Sequence, residues 1–165
     1  MMDEALRLHH LAAIEIWENF CRLHHDLYEL TCDEYQVLLS GEIEKLDEVI
    51  AKKEVVMTEI ARWENYRADL IVTLNKDLAA DLQITNVTEL LNTLQPAEAR
   101  LPIPALKNLN ALLIDVITRV QEQNKRNQQF LNRAMQSLKE IREGFSGKKS
   151  YSTYGADGMT RAVAR

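Results

Sequence analysis

Residues 103–145 read IPALKNLNALLIDVITRVQEQNKRNQQFLNRAMQSLKEIREGF, and this run decides the fold. Between Pro104 and Gly144 it contains neither glycine nor proline. Apolar residues recur at Leu109, Leu113, Val116 and Val120, then at Phe130, Ala134, Leu138, Ile141 and Phe145. Steps of three and four place them on one stripe of a helix. At 1.5 Å per residue that helix is roughly 65 Å long, more than a small core needs. Polar side chains interrupt the stripe at Gln123 and Asn127, inside the tract Gln121–Gln129. Past Phe145 the period stops. Ser146–Gly158, with Gly147, Gly155, Gly158, Ser150, Ser152 and Thr153, has the composition of turns, and a flexible C-terminal tail is expected over 147–165.

The segments upstream have the same character. Residues 2–39 read as a helix whose heptad-like stripe holds Leu6, Ala13, Trp17, Phe20, Leu27 and Leu38, with His10, His24 and Thr31 between. Ser40-Gly41 is its only break, and so short a link predicts an antiparallel hairpin. A second helix, 42–82, opens on Glu42 and Glu44, acids that suit the positive end of the helix dipole. Asn86 followed by Glu89 is a capping-box pattern with Asn in the Ser/Thr place, which starts a short helix over 86–94. Residues 95–104 hold all three prolines and read as a connector. The expected fold is all-α: an elongated antiparallel bundle of three long helices with a short helical insert and coiled-coil-like packing. Residues 1–146 make the helical domain and 147–165 the tail.

Composition agrees. Glycine (5) and proline (3) are too scarce in 165 residues for a sandwich or a doubly wound sheet. Charge is uneven: residues 1–64 carry 15 acidic and 6 basic side chains (net −9), and residues 65–165 carry 10 and 14 (net +4). This asymmetry favours antiparallel packing of the first and last helices, or a polar partner surface. The basic residues are scattered among acids, which argues against nucleic acid. No apolar run approaches the ~20 residues of a membrane span, and Asp3 and Glu4 near the start do not suit a signal peptide. Cys21 and Cys32 on one helix lie ~16 Å apart, too far to bridge, and free thiols point to the cytoplasm.

No catalytic or metal constellation is found. His10 and His24 are about 21 Å apart along a helix, and adjacent histidines diverge by ~100°, so neither His9-His10 nor His24-His25 matches a helical zinc site. The carboxylate pairs Asp33-Glu34 and Asp47-Glu48 lack a nucleophile–base partner, no glycine-rich phosphate loop is seen, and no cofactor is implied. Polar residues on the stripes are more informative. Lys53, Glu64 and Arg67 on the second helix, with Gln123, Asn124 and Asn127 on the last, form a candidate polar seam that sets helix register. If the last helix outruns its neighbours, Leu131, Ala134, Met135, Leu138, Ile141 and Phe145 form an apolar face for a partner helix.

In three places the order of features resembles the FlgN family of flagellar type III export chaperones. These are Gly41-Glu42-Ile43-Glu44-Lys45-Leu46 leading to Lys53 and Arg67, the tract Val120–Asn127, and Tyr154-Gly155-Ala156-Asp157-Gly158, which is similar to the family's Tyr-x-x-x-Gly ending. Together they span roughly residues 40–158. The resemblance implies a non-enzymatic cytoplasmic chaperone that keeps hook-associated junction proteins from assembling early and delivers them to the export gate. It nominates Leu131, Met135, Leu138 and Ile141 for cargo, and Tyr154 with Gly158 for the gate. Tyr151 competes with Tyr154 for that role, and Lys148-Lys149 lies close by. The alternative is a coiled-coil homodimeric adaptor or scaffold without a secretion role, and a homodimer stays open under either reading.

Overall fold

The computed structural model describes residues 2–102, 105–146, 152–154 and 160–162. Helix α1 spans Met2–Ser40, α2 Ile43–Lys76, α3 Val87–Glu98 and α4 Ala105–Phe145. A 3₁₀ turn at Ala80–Leu82 lies between α2 and α3. Through residue 146 the described chain is helical apart from its links, as the periodicity predicts. Two compact units divide it, residues 1–126 and residues 127–165.

In the first unit α1 and α2 form the expected hairpin. Gly41 takes φ +71°, a left-handed conformation that costs glycine little and ends α1, and its N–H donates to the Val37 carbonyl at 3.0 Å. A side chain at 41 would be strained there although the surrounding space is open. The core gathers where the first half of α1 meets the end of α2, α3 and the start of α4. Trp17, Phe20, Leu90, Leu94 and Leu106 are all fully buried, with Leu70, Leu74 and Ile84 packed in the same cluster. Trp17 meets Phe20 edge-on at 6.0 Å and donates its indole N–H to Asn110 Oδ1 at 3.0 Å, so the largest core side chain leaves no buried donor unpaired.

Helix α2 stops at Lys76, about six residues before the expected end. The Asn75 carboxamide grips the backbone of Ile84 from both sides, donating to its carbonyl at 2.9 Å and accepting from its N–H at 2.7 Å. Gln83 Nε2 donates to the carbonyls of Asn75 and Leu78, at 2.8 and 2.9 Å. The Asn75 carbonyl in the last turn of α2 thus finds its donor in a returning loop, and Ile84 is buried in exchange for a longer helix. Asn86 caps α3 by accepting from Glu89 N–H at 2.9 Å, as the capping-box reading requires. The Glu89 carboxylate reaches back to the N–H and hydroxyl of Thr85, at 2.6 and 2.8 Å. Those two bonds, backbone first, hold its pKa below the usual carboxylate value.

Helix α3 continues through Pro96 to Glu98 instead of ending at 94. An interior proline loses a backbone bond and costs about 3 kcal/mol. Complete burial of Leu90 and Leu94 and the bonds of Glu98 hold the extra turn in place. Helix α4 then runs parallel to α1, since Trp17 bonds Asn110 and Glu34 meets Asn124 through Lys53. The charge asymmetry favoured antiparallel packing of these two helices. Connectivity overrides it, because the insert ends beside the start of α1, where Glu98 faces His10, and α4 departs from there.

In the second unit the tail is not purely turn-like. Strands Ser152–Tyr154 (β1) and Thr160–Ala162 (β2) pair antiparallel, with Thr153 opposite Arg161 and Tyr154 opposite Thr160. Threonine and tyrosine suit a strand. Residues 147–151 and 155–159 lie outside the described residues, as do Tyr151 and Gly158 with their expected roles.

Candidate partner-binding face

Along α4 one helical face changes character. Leu113, Val116, Val120, Gln123 and Asn127 are buried. At about 100° per residue, Ala134, Leu138, Ile141 and Phe145 fall on the continuation of that face. Leu131 and Ala134 are half-buried, whereas Met135, Leu138, Ile141 and Phe145 are 67, 66, 53 and 87 % exposed. Within the second unit, Met135 and Leu138 with the stems of Lys139 and Arg142 line a shallow groove of about 270 Å³. Four large apolar side chains on successive turns are a surface that burial would stabilise by about 1.5–3 kcal/mol each.

The six polar residues of the candidate seam do not form one cluster. Lys53 Nζ sits 2.5 Å from Glu34 Oε2 and 3.5 Å from Asn124 Oδ1, tying α2 to both α1 and α4. Arg67 Nη2 pairs instead with Glu64 on its own helix, at 2.6 Å, and a second groove between α1, α3 and α4 opens beside that pair. Gln123 and Asn127 are buried in α4, 9 and 2 % exposed. Glu34 was read from the sequence only as one of a carboxylate pair and not as a seam residue, although Leu27, Thr31, Glu34 and Leu38 keep the four–three–four spacing of the α1 stripe. Thr31 on the same stripe returns its hydroxyl to the Leu27 carbonyl at 2.7 Å, which lets a polar side chain stay fully buried.

Glu98 was missed as well. It is buried, and its Oε1 accepts from the N–H groups of Leu106 and Lys107, the latter at 3.2 Å, capping α4 from the end of α3. His10 Nε2 lies 3.9 Å from the same oxygen and is buried without a hydrogen bond, alone in this among the described side-chain nitrogens and oxygens. No sequence motif links residues 98 and 106, because the bond spans the connector.

Among the described residues no group of histidine, cysteine and acidic side chains is arranged to hold a metal ion, and no helix is long and apolar enough to cross a membrane. Both cysteines are free, and burial raises the pKa of the Cys21 thiol above its ordinary value. What the described surface offers is an apolar helical face and a backbone-paired tail, means of holding another polypeptide.

Comparison with known proteins agrees with that reading. Neither a curated protein nor a solved structure matches the chain. The family described as FlgN protein matches residues 12–162, nearly the whole sequence, and spans the hairpin, the α4 face and the tail. The chain therefore belongs to the FlgN family of flagellar export chaperones.

Proposed function

We propose that this chain is a cytoplasmic, non-enzymatic chaperone that holds hook-associated junction proteins through the C-terminal part of α4 and brings them to the flagellar export gate through its tail. The observation that carries the reading is the exposure of Leu138, Ile141 and Phe145 on a face that is buried earlier in the same helix, with exposed Met135 at its edge. An amphipathic helix from a junction protein would cover it as a further seam, four turns long, and withhold that helix from assembly. Tyr154 then serves the gate, with Tyr151 as a weaker contributor and Gly158 allowing the backbone to turn.

The test is titration of purified junction protein onto the wild-type chain and onto Leu138→Asp/Ile141→Asp. Loss of binding with an unchanged melting temperature supports the reading. A large fall in melting temperature would make these residues core and remove the cargo assignment. Retained binding with loss of a wild-type dimer would favour the homodimeric scaffold instead.

A further inference from the structure

The charges bordering the α4 face are of one sign. Taking the six apolar positions 131, 134, 135, 138, 141 and 145 as its centre, Arg142 lies roughly 50° away and Lys139 roughly 105° away, on the same side. The two acids of this stretch, Glu140 and Glu143, lie roughly 150° away, on the reverse of the helix. Glu140 accepts there from Gln136 Nε2 at 2.9 Å. Neither Lys139 nor Arg142 has an ion-pair partner among the described residues, and both line the groove with Met135 and Leu138.

A cation in the last turn of a helix is favoured by the helix dipole, which accounts for Arg142 without any partner. That effect fades within the last turn, and Lys139 lies nearly two turns before Phe145. Charge along the chain runs the same way. Residues 1–64 carry −9 and residues 65–126 are balanced, whereas residues 127–165 hold seven basic and three acidic side chains, net +4. The face therefore sits on the basic part of the chain with its free cations at one border.

We propose that the helix seated on this face is acidic along one flank, with carboxylates spaced three or four residues apart that meet Lys139 and Arg142 while its apolar stripe covers Met135, Leu138 and Ile141. This rests on the reading of α4 as the cargo face and adds the chemistry that orients the cargo. A single-sided charge border fixes which flank of the incoming helix faces which side, whereas an apolar stripe alone tolerates either.

Two synthetic 18-residue helical peptides with the same Leu/Ile stripe, one with glutamates on a flank and one with lysines there, are titrated onto the full chain. The glutamate peptide should bind about tenfold tighter at low salt, and the gap should shrink as ionic strength rises. Lys139→Glu/Arg142→Glu should reverse the preference without shifting the melting temperature, since both side chains are exposed. Equal binding of the two peptides, or none, overturns the proposal. Equal binding that Leu138→Asp/Ile141→Asp abolishes spares the face and rejects only the acidic flank. Undiminished binding of both peptides to that variant rejects the cargo face itself. If charge reversal alters only self-association, measured by sedimentation, the occupant is a second copy and the proposal fails.

Discussion

Lys53 Nζ lies 2.5 Å from Glu34 Oε2, and each of the two side chains is only 15 % exposed. The pair joins α1 to α2, and its link to Asn124 brings in α4 at 3.5 Å. A nearly buried ion pair adds little net stability over an apolar pair, but removing one partner leaves a charge out of water. Lys53→Ala should therefore cost about 2–4 kcal/mol, and Lys53→Met with Glu34→Leu much less. Urea denaturation of Lys53→Ala and of the Lys53→Met/Glu34→Leu double variant checks this. Equal losses in both would show that the pair carries packing and not charge.

Glu98 is the second place where one side chain holds several helices. Glu98→Ala removes the acceptor for Leu106 and Lys107 N–H and should destabilise the chain by about 2 kcal/mol. Glu98→Gln keeps an acceptor in the same place and should cost less. Thermal melts of both variants decide the matter, and an Ala variant as stable as wild type would refute the remote cap.

Glu89 gives the account its pH dependence. Its pKa is depressed in the folded chain by the Thr85 N–H and hydroxyl. A depressed carboxylate contributes stability above its unfolded pKa, and that contribution disappears as pH falls through the folded value. The chain should accordingly lose stability below about pH 4.5, and Glu89→Gln should lower the melting temperature at pH 7, where the charged form contributes, and flatten that acid limb. Melting temperature against pH for the two proteins measures it. Identical acid limbs would show that the Thr85 bonds do not survive in solution.

The tail should be separable from the cargo face. Truncation after Ser146, or Tyr154→Ala, should leave affinity for a junction protein near wild type and weaken binding to the cytoplasmic domain of the export gate. Tyr151→Ala should matter less. An isolated two-stranded ladder is marginal in water, so neither change should move the melting temperature. Equal loss toward both partners would place the tail in the cargo site.

How much of this could be read in the sequence depended on the range of the interaction. The long helices and the Gly41 turn are local and periodic, and they were legible. So was the Asn86–Glu89 cap, whose partners lie three residues apart. The end of α2 was not, because Asn75 and Gln83 stop it by bonds across a loop that resemble continuing helix in periodicity. Pro96 misled for a related reason: a local penalty was outweighed by burial of Leu90 and Leu94, which appears only in three dimensions. In the candidate seam, Lys53 found Asn124, but its main partner Glu34 required folding the hairpin back on itself. The apolar residues of the α4 face were visible as a stripe. Periodicity could not say whether anything covers them, since it reports the same pattern for a packed face and for an open one.

The central claim is that the face from Leu131 to Phe145 is where this chaperone holds its cargo. Hydrogen–deuterium exchange of the full chain with and without a purified hook-associated junction protein tests it most directly. The account predicts faster exchange at residues 131–145 than at 113–127 in the free chain, and marked protection of 131–145 when the junction protein is present, with little change in α1 and α2. Protection confined to the α1–α2 hairpin, with residues 131–145 unaffected by the junction protein, would contradict it.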